Sequence, residues 1–210
     1  MGSLVETWLL PFISILFIVD PLGATPAFML MTSTDPPELR RALALKASIA
    51  CALILMLFAT AGGLIFKIFG ITFPAFRIAG GIVLGITALE MLRADRSTRE
   101  TREEVQEGME KPDIAITPLA LPILSGPGAI STVMVFMNEA TSWTESLPIY
   151  LAILATGCVT YFFLRMSEHV HRILGRTGIN VFSRLMGLVL ATVAVQFILD
   201  GLRESGFITK

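Results

Sequence analysis

Six long apolar segments dominate the chain and restrict what it can fold into. Segments of roughly 18 or more apolar residues are long enough to cross the hydrocarbon core of a bilayer. Inside a bilayer every backbone N–H and C=O group must find a partner within the protein, so such segments must be helical. The sequence therefore predicts an all-α polytopic membrane protein. The six predicted spans are residues 8–31, 42–66, 74–92, 114–137, 147–165 and 181–200.

The overall composition agrees with a membrane protein. The 210 residues are 54% hydrophobic and 16% charged, whereas soluble domains average about 45–50% apolar and about 25% charged residues. Mean hydropathy is +0.74. The formal net charge of −1 gives no strong field that would attract nucleic acid. A lipid bilayer is thus the expected surrounding, and no nucleic-acid partner is expected.

The cysteines and histidines predict no metal centre. Cys51 and Cys158 both lie in apolar segments, where a free cysteine behaves as a small buried hydrophobe. Neither a disulfide nor a metal-binding spacing is predicted, and no cofactor is expected. No basic residue precedes the first apolar segment, so a cleaved signal peptide is not expected.

The basic residues predict an orientation in the membrane. If the N-terminus is extracytoplasmic, twelve of the 16 Lys and Arg residues fall on the cytoplasmic side, as the positive-inside rule requires. Both termini are then extracytoplasmic. The charge-rich segment 93–113 becomes a cytoplasmic linker, and it separates a first three-helix unit, residues 1–92, from a second, residues 114–210.

The two halves carry a weak internal repeat. An offset of 105 residues superposes Gly23 and Ala24 on Gly128 and Ala129, and an offset of 106 aligns residues 76–90 with 182–196. Each half contains three spans, an odd number, so the two copies must cross the membrane in opposite directions. The pattern predicts an inverted-topology repeat, which many secondary transporters use.

Two of the predicted helices are broken at matching places. Asp20, Pro21 and Pro26 interrupt the first span, and a Pro/Gly-rich stretch at 122–128 interrupts the fourth. Proline removes a backbone donor and clashes with the preceding turn. The N-terminus of a half-helix offers free N–H groups to an anion such as a carboxylate, and the facing C-terminus offers carbonyls to a cation. The alternative is that both breaks only shape helix packing.

The polar residues at the breaks are the candidates for a substrate site. Asp20 is a carboxylate inside a span, which marks a functional position by default, although it could instead cap the half-helix after Pro21. Hydroxyl groups could bind substrate or simply bond to their own helix. The candidate substrate-binding residues are Asp20, Pro21, Gly23, Ala24, Thr25, Ser125, Gly126, Gly128, Ala129 and Ser131, with Thr132 as a further hydroxyl.

Several other residues are predicted to have interfacial or packing roles. Glu90 and its repeat counterpart Gln196 are expected near the membrane interface, and Arg77 and Arg184 are expected to extend to the lipid headgroups. Paired glycines are expected to let helices approach closely. These glycines are Gly62, Gly63, Gly80 and Gly81.

At these motifs the chain resembles the MarC family of bacterial and archaeal inner-membrane proteins. The resemblance covers essentially the whole chain and rests on residues 17–23 with Pro26, on Arg77 with Gly80 and Gly81, on residues 122–131, and on Arg184 with Gly187. It implies a six-helix permease-like protein in the cytoplasmic membrane. Family members are often called multiple-antibiotic-resistance proteins, some resemble neutral amino-acid transporters, and the family is distantly similar to LysE-type exporters. Many members have Asn after the first motif's Gly, where this chain has Ala24.

The leading hypothesis is a secondary transporter of small neutral amino acids such as glycine and alanine, acting by alternating access. Coupling to protons or sodium, the direction of transport and homo-oligomerisation are left open. An enzyme is not expected, because the spans lack paired aspartates, a Ser–His pair or a metal cluster. The alternatives are a non-transporting membrane scaffold or regulator, and efflux of other small solutes including antibiotics.

Overall fold

The computed structural model of the chain describes residues 5–93 and 115–207, and this part is helical throughout apart from short turns. The predicted linker 93–113 lies outside the described residues except for Arg93. The elements are a π-helical segment Val5–Leu9, α1 Leu10–Val19, α2 Pro21–Met31, α3 Pro37–Phe69, α4 Phe73–Arg93, a π-helix Ala115–Leu124, α5 Pro127–Glu139, α6 Trp143–Arg165 and α7 Ser167–Glu204.

Five helical stretches in the described part are long and apolar enough to cross a membrane. They are Thr7–Met31, Pro37–Phe69, Phe73–Arg93, Trp143–Arg165 and Thr177–Glu204. The prediction of an all-α chain with several spanning helices is therefore confirmed. The predicted fourth span, 114–137, corresponds to two shorter pieces, the π-helix and α5, and neither is long enough to cross alone. The total of six spans and the inverted repeat stay predictions.

Glycines in the left-handed region lead into two of the long helical stretches. Gly70 ends α3 at φ 63°, and its N–H donates to the carbonyl of Phe66. Gly175 interrupts α7 at φ 60° and ψ −179°, so that residues 167–174 and 176–204 form two helical pieces. Glycine adopts such angles without the steric cost that a Cβ would bring. The predicted sixth span is therefore the second piece of a longer, broken helix.

The surface of α3 shows how the helices meet a bilayer. One face of α3 is exposed at large apolar residues, including Leu57 and Ile68, whereas the opposite face, including Ala47 and Leu55, is buried against other helices. Exposed leucine costs nothing in lipid, because lipid tails are as apolar as leucine. Cys51 is buried as predicted, but Cys158 is exposed, because it faces outward from α6 among lipid-facing side chains.

The buried side chains form two separate clusters, and these define two groups of helices. The larger cluster draws on α1, α2, α3, the π-helix, α5 and α6, and we call these elements the bundle. The smaller cluster joins α4 and α7 through Leu84, Ala88, Met91, Leu190 and Ala194, and we call these two helices the α4–α7 pair. In the predicted repeat, the pair contains the third span of each half.

Glycines allow the helices of the pair to touch backbone to backbone. A Cβ at Gly81 would lie 2.7 Å from the carbonyl oxygen of Ala194, and one at Gly201 would lie 2.9 Å from that of Pro74. The packing role predicted for Gly81 is confirmed. A Cβ at Gly63 would meet no atom within 4 Å, so the same prediction is wrong there.

Candidate functional site: a cavity between two helix breaks

The first break is centred on Asp20. The ring of Pro21 disfavours a helical conformation at the preceding residue, and Asp20 adopts φ 45° and ψ 64°, a region that Asp tolerates better than most residues. Its N–H donates to the carbonyl of Leu16 and so closes α1. Its carboxylate accepts the N–H of Gly23 at 3.0 Å and so caps α2. The capping interpretation of Asp20 is confirmed.

A hydroxyl group compensates for the second proline of this segment. Pro26 lies inside α2 and has no N–H to donate to the carbonyl four residues earlier, which belongs to Leu22. The hydroxyl of Thr25 donates to that carbonyl at 2.7 Å, and Thr25 is fully buried. Thr25 therefore bonds to its own helix, and it is not among the residues that line the cavity described below.

The second break, at Ser125 and Gly126, is built differently. The N–H and the hydroxyl of Ser125 both donate to the carbonyl of Ala120, at 2.9 and 2.6 Å, and so end the π-helix. Gly126 is extended, with φ −66° and ψ 170°, and α5 begins at Pro127 without a side-chain cap.

The two breaks therefore differ at the helix N-termini that follow them. In α2 the carboxylate of Asp20 occupies the end of the helix. In α5 the N–H groups of Gly128 and Ala129 have no partner in the helix, and among the described residues Gly126 at the N-cap position provides no side-chain cap. The positive end of the α5 dipole is therefore open to an anionic group.

Both breaks border one cavity of about 440 Å³ that also touches α4 and α7. This volume lies within the roughly 300–1,000 Å³ of typical small-molecule sites. The bundle supplies one side of the cavity and the α4–α7 pair supplies the other. Six of the ten predicted substrate-binding residues line it: Asp20, Gly23, Ala24, Gly126, Gly128 and Ala129.

The remaining four predicted residues are near the breaks but not among the residues that line the cavity. Pro21 and Ser125 are buried within the two breaks, and Thr25 bonds to Leu22 as described. Ser131 is buried on α5 against α4, where a Cβ at Gly80 would lie 2.9 Å from its hydroxyl. The hydroxyl of Thr132 is buried and has no hydrogen-bond partner among the described residues.

The polar lining of the cavity includes residues that the sequence analysis did not select. Thr87 and Glu90 come from α4, and Asn180 and Ser183 come from α7. Glu90 was predicted to be interfacial, and the rule that marks an ionisable residue inside a span as functional would have identified it. Its repeat counterpart Gln196 is exposed and donates to Asp200 at 2.8 Å, away from the cavity.

The charges of the cavity are acidic. Its charged side chains, among the residues that the structure describes, are those of Asp20 and Glu90. The open N-terminus of α5, by contrast, carries partial positive charge and favours a negative group. The cavity thus offers separate places to the two ends of a zwitterion.

Arg77 departs from its predicted position at the headgroups. Only 7% of the residue is exposed, and its guanidinium forms ion pairs with Glu139 at the end of α5 and Glu204 at the end of α7. It also lies over the ring of Phe73, 5.2 Å from the centroid. The prediction that Arg77 extends to the surface is wrong, because two carboxylates from neighbouring helices offset the cost of burying its charge. Arg184 is exposed, as predicted.

The comparisons with known proteins agree with the motifs of the two breaks. Residues 5–205 match the sequence model of the MarC family of integral membrane proteins. A UPF0056 membrane protein of Methanocaldococcus jannaschii is 40% identical over 94% of this chain and 97% of its own length. Similar membrane proteins are YvbG of Bacillus subtilis, 39% identical over 91% of this chain and 92% of its own, and YhcE of Escherichia coli, 34% identical over 91% and 90%.

No solved structure matches the chain significantly. The family match extends over both breaks, the α4–α7 pair and the bundle. By this match, and by relatives that share more than a third of its residues across nearly their whole length, the chain belongs to the MarC family of integral membrane proteins.

Proposed function

We propose that the chain is a secondary transporter of small neutral amino acids such as glycine and alanine, which works by alternating access across the cytoplasmic membrane of a bacterium or archaeon. The observation that supports this proposal most is the cavity that both helix breaks border. Irregular backbone at membrane depth is tolerated where it lines a cavity, and discontinuous helices form the substrate sites of many transporters.

The chemistry of the cavity suits an amino-acid zwitterion. The uncapped N-terminus of α5 would accept the carboxylate, with the N–H groups of Gly128 and Ala129 as donors. The carboxylates of Asp20 and Glu90 would attract the ammonium group. Small residues at the two breaks leave room near the backbone, and the apolar wall of α4 and α7 would contact the side chain of the substrate.

The proposal includes six spans arranged as two inverted three-helix repeats, with both termini extracytoplasmic. The π-helix and α5 together would form the fourth span, broken like the first. Gly70 and Gly175 support the repeat, because they are 105 residues apart, have φ near 60°, and lead into the third helix of each half. The proposed activity moves solute without covalent change, so it requires neither an enzymatic step nor a cofactor. Protons or sodium ions would supply the driving force.

The test is uptake into liposomes that contain the purified protein. We expect saturable entry of labelled glycine, alanine and serine, accelerated by a proton or a sodium gradient. Asp20→Asn should keep the helix cap, because Asn caps helices as well as Asp does, yet should reduce entry because the cavity loses a negative charge. Gly63→Ala is the matched control, since its Cβ would meet no atom within 4 Å.

The absence of saturable entry above empty liposomes, with the protein shown to be folded, would overturn amino-acid transport. Entry of an antibiotic or another solute in the same liposomes would then favour efflux of other small molecules. No entry of any tested solute would favour a membrane scaffold or regulator.

A further inference from the structure

The cavity lies at an uneven contact between the bundle and the α4–α7 pair. Towards the start of α4, the pair packs tightly on the bundle, where Gly80 faces Ser131 with no space for a Cβ. Towards the end of α4, Glu90 lines the cavity, which also touches α2 and continues to Asn180 and Ser183 near the start of the second piece of α7. We call these the Arg77 end and the Glu90 end. The pair thus packs tightly on the bundle at one end and borders the cavity at the other.

The ion pairs of Arg77 have two different structural effects. Arg77 and Glu204 both belong to the α4–α7 pair, so their ion pair holds that unit together. Glu139 belongs to α5, so the ion pair between Arg77 and Glu139 connects the pair to the bundle. The connection lies at the Arg77 end, where the two groups of helices are already in contact.

A buried ion pair of this kind suits a contact that breaks and re-forms better than a permanent structural contact. Removing two charges from water carries a large free-energy cost, which the attraction between them only roughly offsets. Glu139 is half-exposed, and the Nε atom of Arg77 has no hydrogen-bond partner among the described residues. The bond to Glu139 can therefore be exchanged for water without leaving Arg77 unpaired, because Glu204 stays in place.

Arg184, which lies one residue beyond the place that matches Arg77 at the offset of 106, is in the opposite condition. Arg184 precedes Gly187 as Arg77 precedes Gly80, with the same spacing. Arg184 is exposed at the Glu90 end and forms no ion pair within residues 5–93 and 115–207. At the Arg77 end, where the pair touches the bundle, Arg77 is paired with the bundle carboxylate Glu139. At the Glu90 end, beside the cavity, Arg184 has no such ion pair among the described residues.

Positive-φ glycines lie where the pair joins the rest of the chain. Gly70 precedes α4, and Gly175 precedes the second piece of α7. A Cβ at either residue would meet no atom within 4 Å, so packing does not hold these joints. The first piece of α7 is tied separately to the bundle by the ion pair between Glu168 and Arg40 of α3. The second piece can therefore turn at Gly175 while the first piece stays in place.

From these contacts we infer that α4 and residues 177–204 of α7 move as one unit against the bundle, and that the ion pair between Arg77 and Glu139 latches this unit closed at the Arg77 end while the Glu90 end is open. This inference rests on the proposed transport function only in identifying the motion with alternating access. Release of the latch would let the unit rock, so that the Arg77 end opens as the Glu90 end closes.

Cysteine accessibility tests the motion directly. In a Cys51→Ala/Cys158→Ala background, Ser131→Cys reports on the Arg77 end and Ser183→Cys reports on the Glu90 end. A membrane-impermeant maleimide is added to either side of sealed vesicles. With the latch intact, we expect slow labelling at position 131 and faster labelling at position 183, from opposite sides of the membrane.

Glu139→Gln is the main variant, because it releases the latch and leaves Arg77 paired with Glu204. We expect labelling at position 131 to rise about tenfold and labelling at position 183 to fall, since a shift of about 1.4 kcal/mol changes a two-state ratio tenfold. Arg203→Gln is the matched control, because this exposed arginine lies at the same end and pairs only within its own helix, and it should leave both rates unchanged.

Each other outcome overturns the inference. Unchanged labelling at both positions in Glu139→Gln would show that the ion pair latches nothing. A rise at both positions would show a general loosening rather than a rocking unit. Amino-acid uptake is measured on the same vesicles, so that the two proposals fail separately: reciprocal labelling without uptake would overturn the substrates, and uptake without reciprocal labelling would overturn the latch.

Discussion

The two helix breaks occupy equivalent places in the predicted repeat, yet their backbone groups form different hydrogen bonds. At the first break, the side chains of Asp20 and Thr25 bond to the local backbone and leave the N-terminus of α2 occupied. At the second break, Ser125 closes the helix that ends there, and the N-terminus of α5 has no side-chain cap. The comparison indicates that the first break is a locally bonded, negatively charged support, whereas the second leaves uncapped backbone donors beside the cavity.

The largest effect is expected from filling the second break. Gly128→Leu would place a side chain where even a Cβ lies 2.5 Å from Leu84, in the wall of the cavity and beside the open N–H groups. We expect uptake to fall to the level of empty liposomes. Binding of a labelled amino acid to the purified protein should be lost in parallel, whereas Gly63→Leu, on α3, should retain both. Normal uptake by Gly128→Leu would show that the second break does not bind substrate.

Substitutions at the first break should chiefly lower the stability of the protein. Asp20→Ala removes the cap of α2, worth about 1 kcal/mol, and places a residue without local hydrogen bonds at a positive φ, which costs roughly 1–3 kcal/mol. We expect a loss of about 2–3 kcal/mol, measured as a lower unfolding midpoint in detergent. Asp20→Gly should lose less because it relieves the φ strain, and Asp20→Asn should lose least. Equal losses in all three variants would contradict the capping account.

Thr25→Val should also destabilise the first break. It leaves the buried carbonyl of Leu22 without a donor, because Pro26 has none to offer, and an unsatisfied buried group costs roughly 1–3 kcal/mol. In a Pro26→Ala background the new N–H can donate to this carbonyl, so the same Thr25→Val change should cost only a few tenths of a kcal/mol. A double-mutant cycle on the unfolding midpoint measures this difference. Additive effects would contradict the compensation.

The smallest effect is expected from Ser125→Ala. The carbonyl of Ala120 keeps the N–H of residue 125 as a donor, so only one of its two hydrogen bonds is lost, at a cost of about 1 kcal/mol. The unfolding midpoint should fall less than in Thr25→Val, and the KM for uptake should stay unchanged because Ser125 does not line the cavity. A large rise in KM would place the hydroxyl of Ser125 in contact with substrate.

The class of the fold, the helix breaks and the family could all be predicted from the amino-acid sequence. The apolar segments are too long and too apolar for other structures, because backbone groups in lipid must be paired within a helix. Proline acts on the residue before it and on the carbonyl four residues earlier, so the breaks at Asp20 and at 125–126 follow from local chemistry. Six of the ten predicted site residues border one cavity for the same reason, since they lie at those breaks.

The contacts between side chains of different helices could not be predicted in this way, because they depend on how the helices pack. The burial of Arg77 depends on Glu139 and Glu204, which are 62 and 127 residues away along the chain. The place of Glu90 in the cavity wall depends on how α4 packs against α7 and the bundle, and no local pattern records that packing. The outward position of Cys158 has the same cause, because periodicity alone does not distinguish a lipid-facing from a protein-facing side of a helix that is apolar all round.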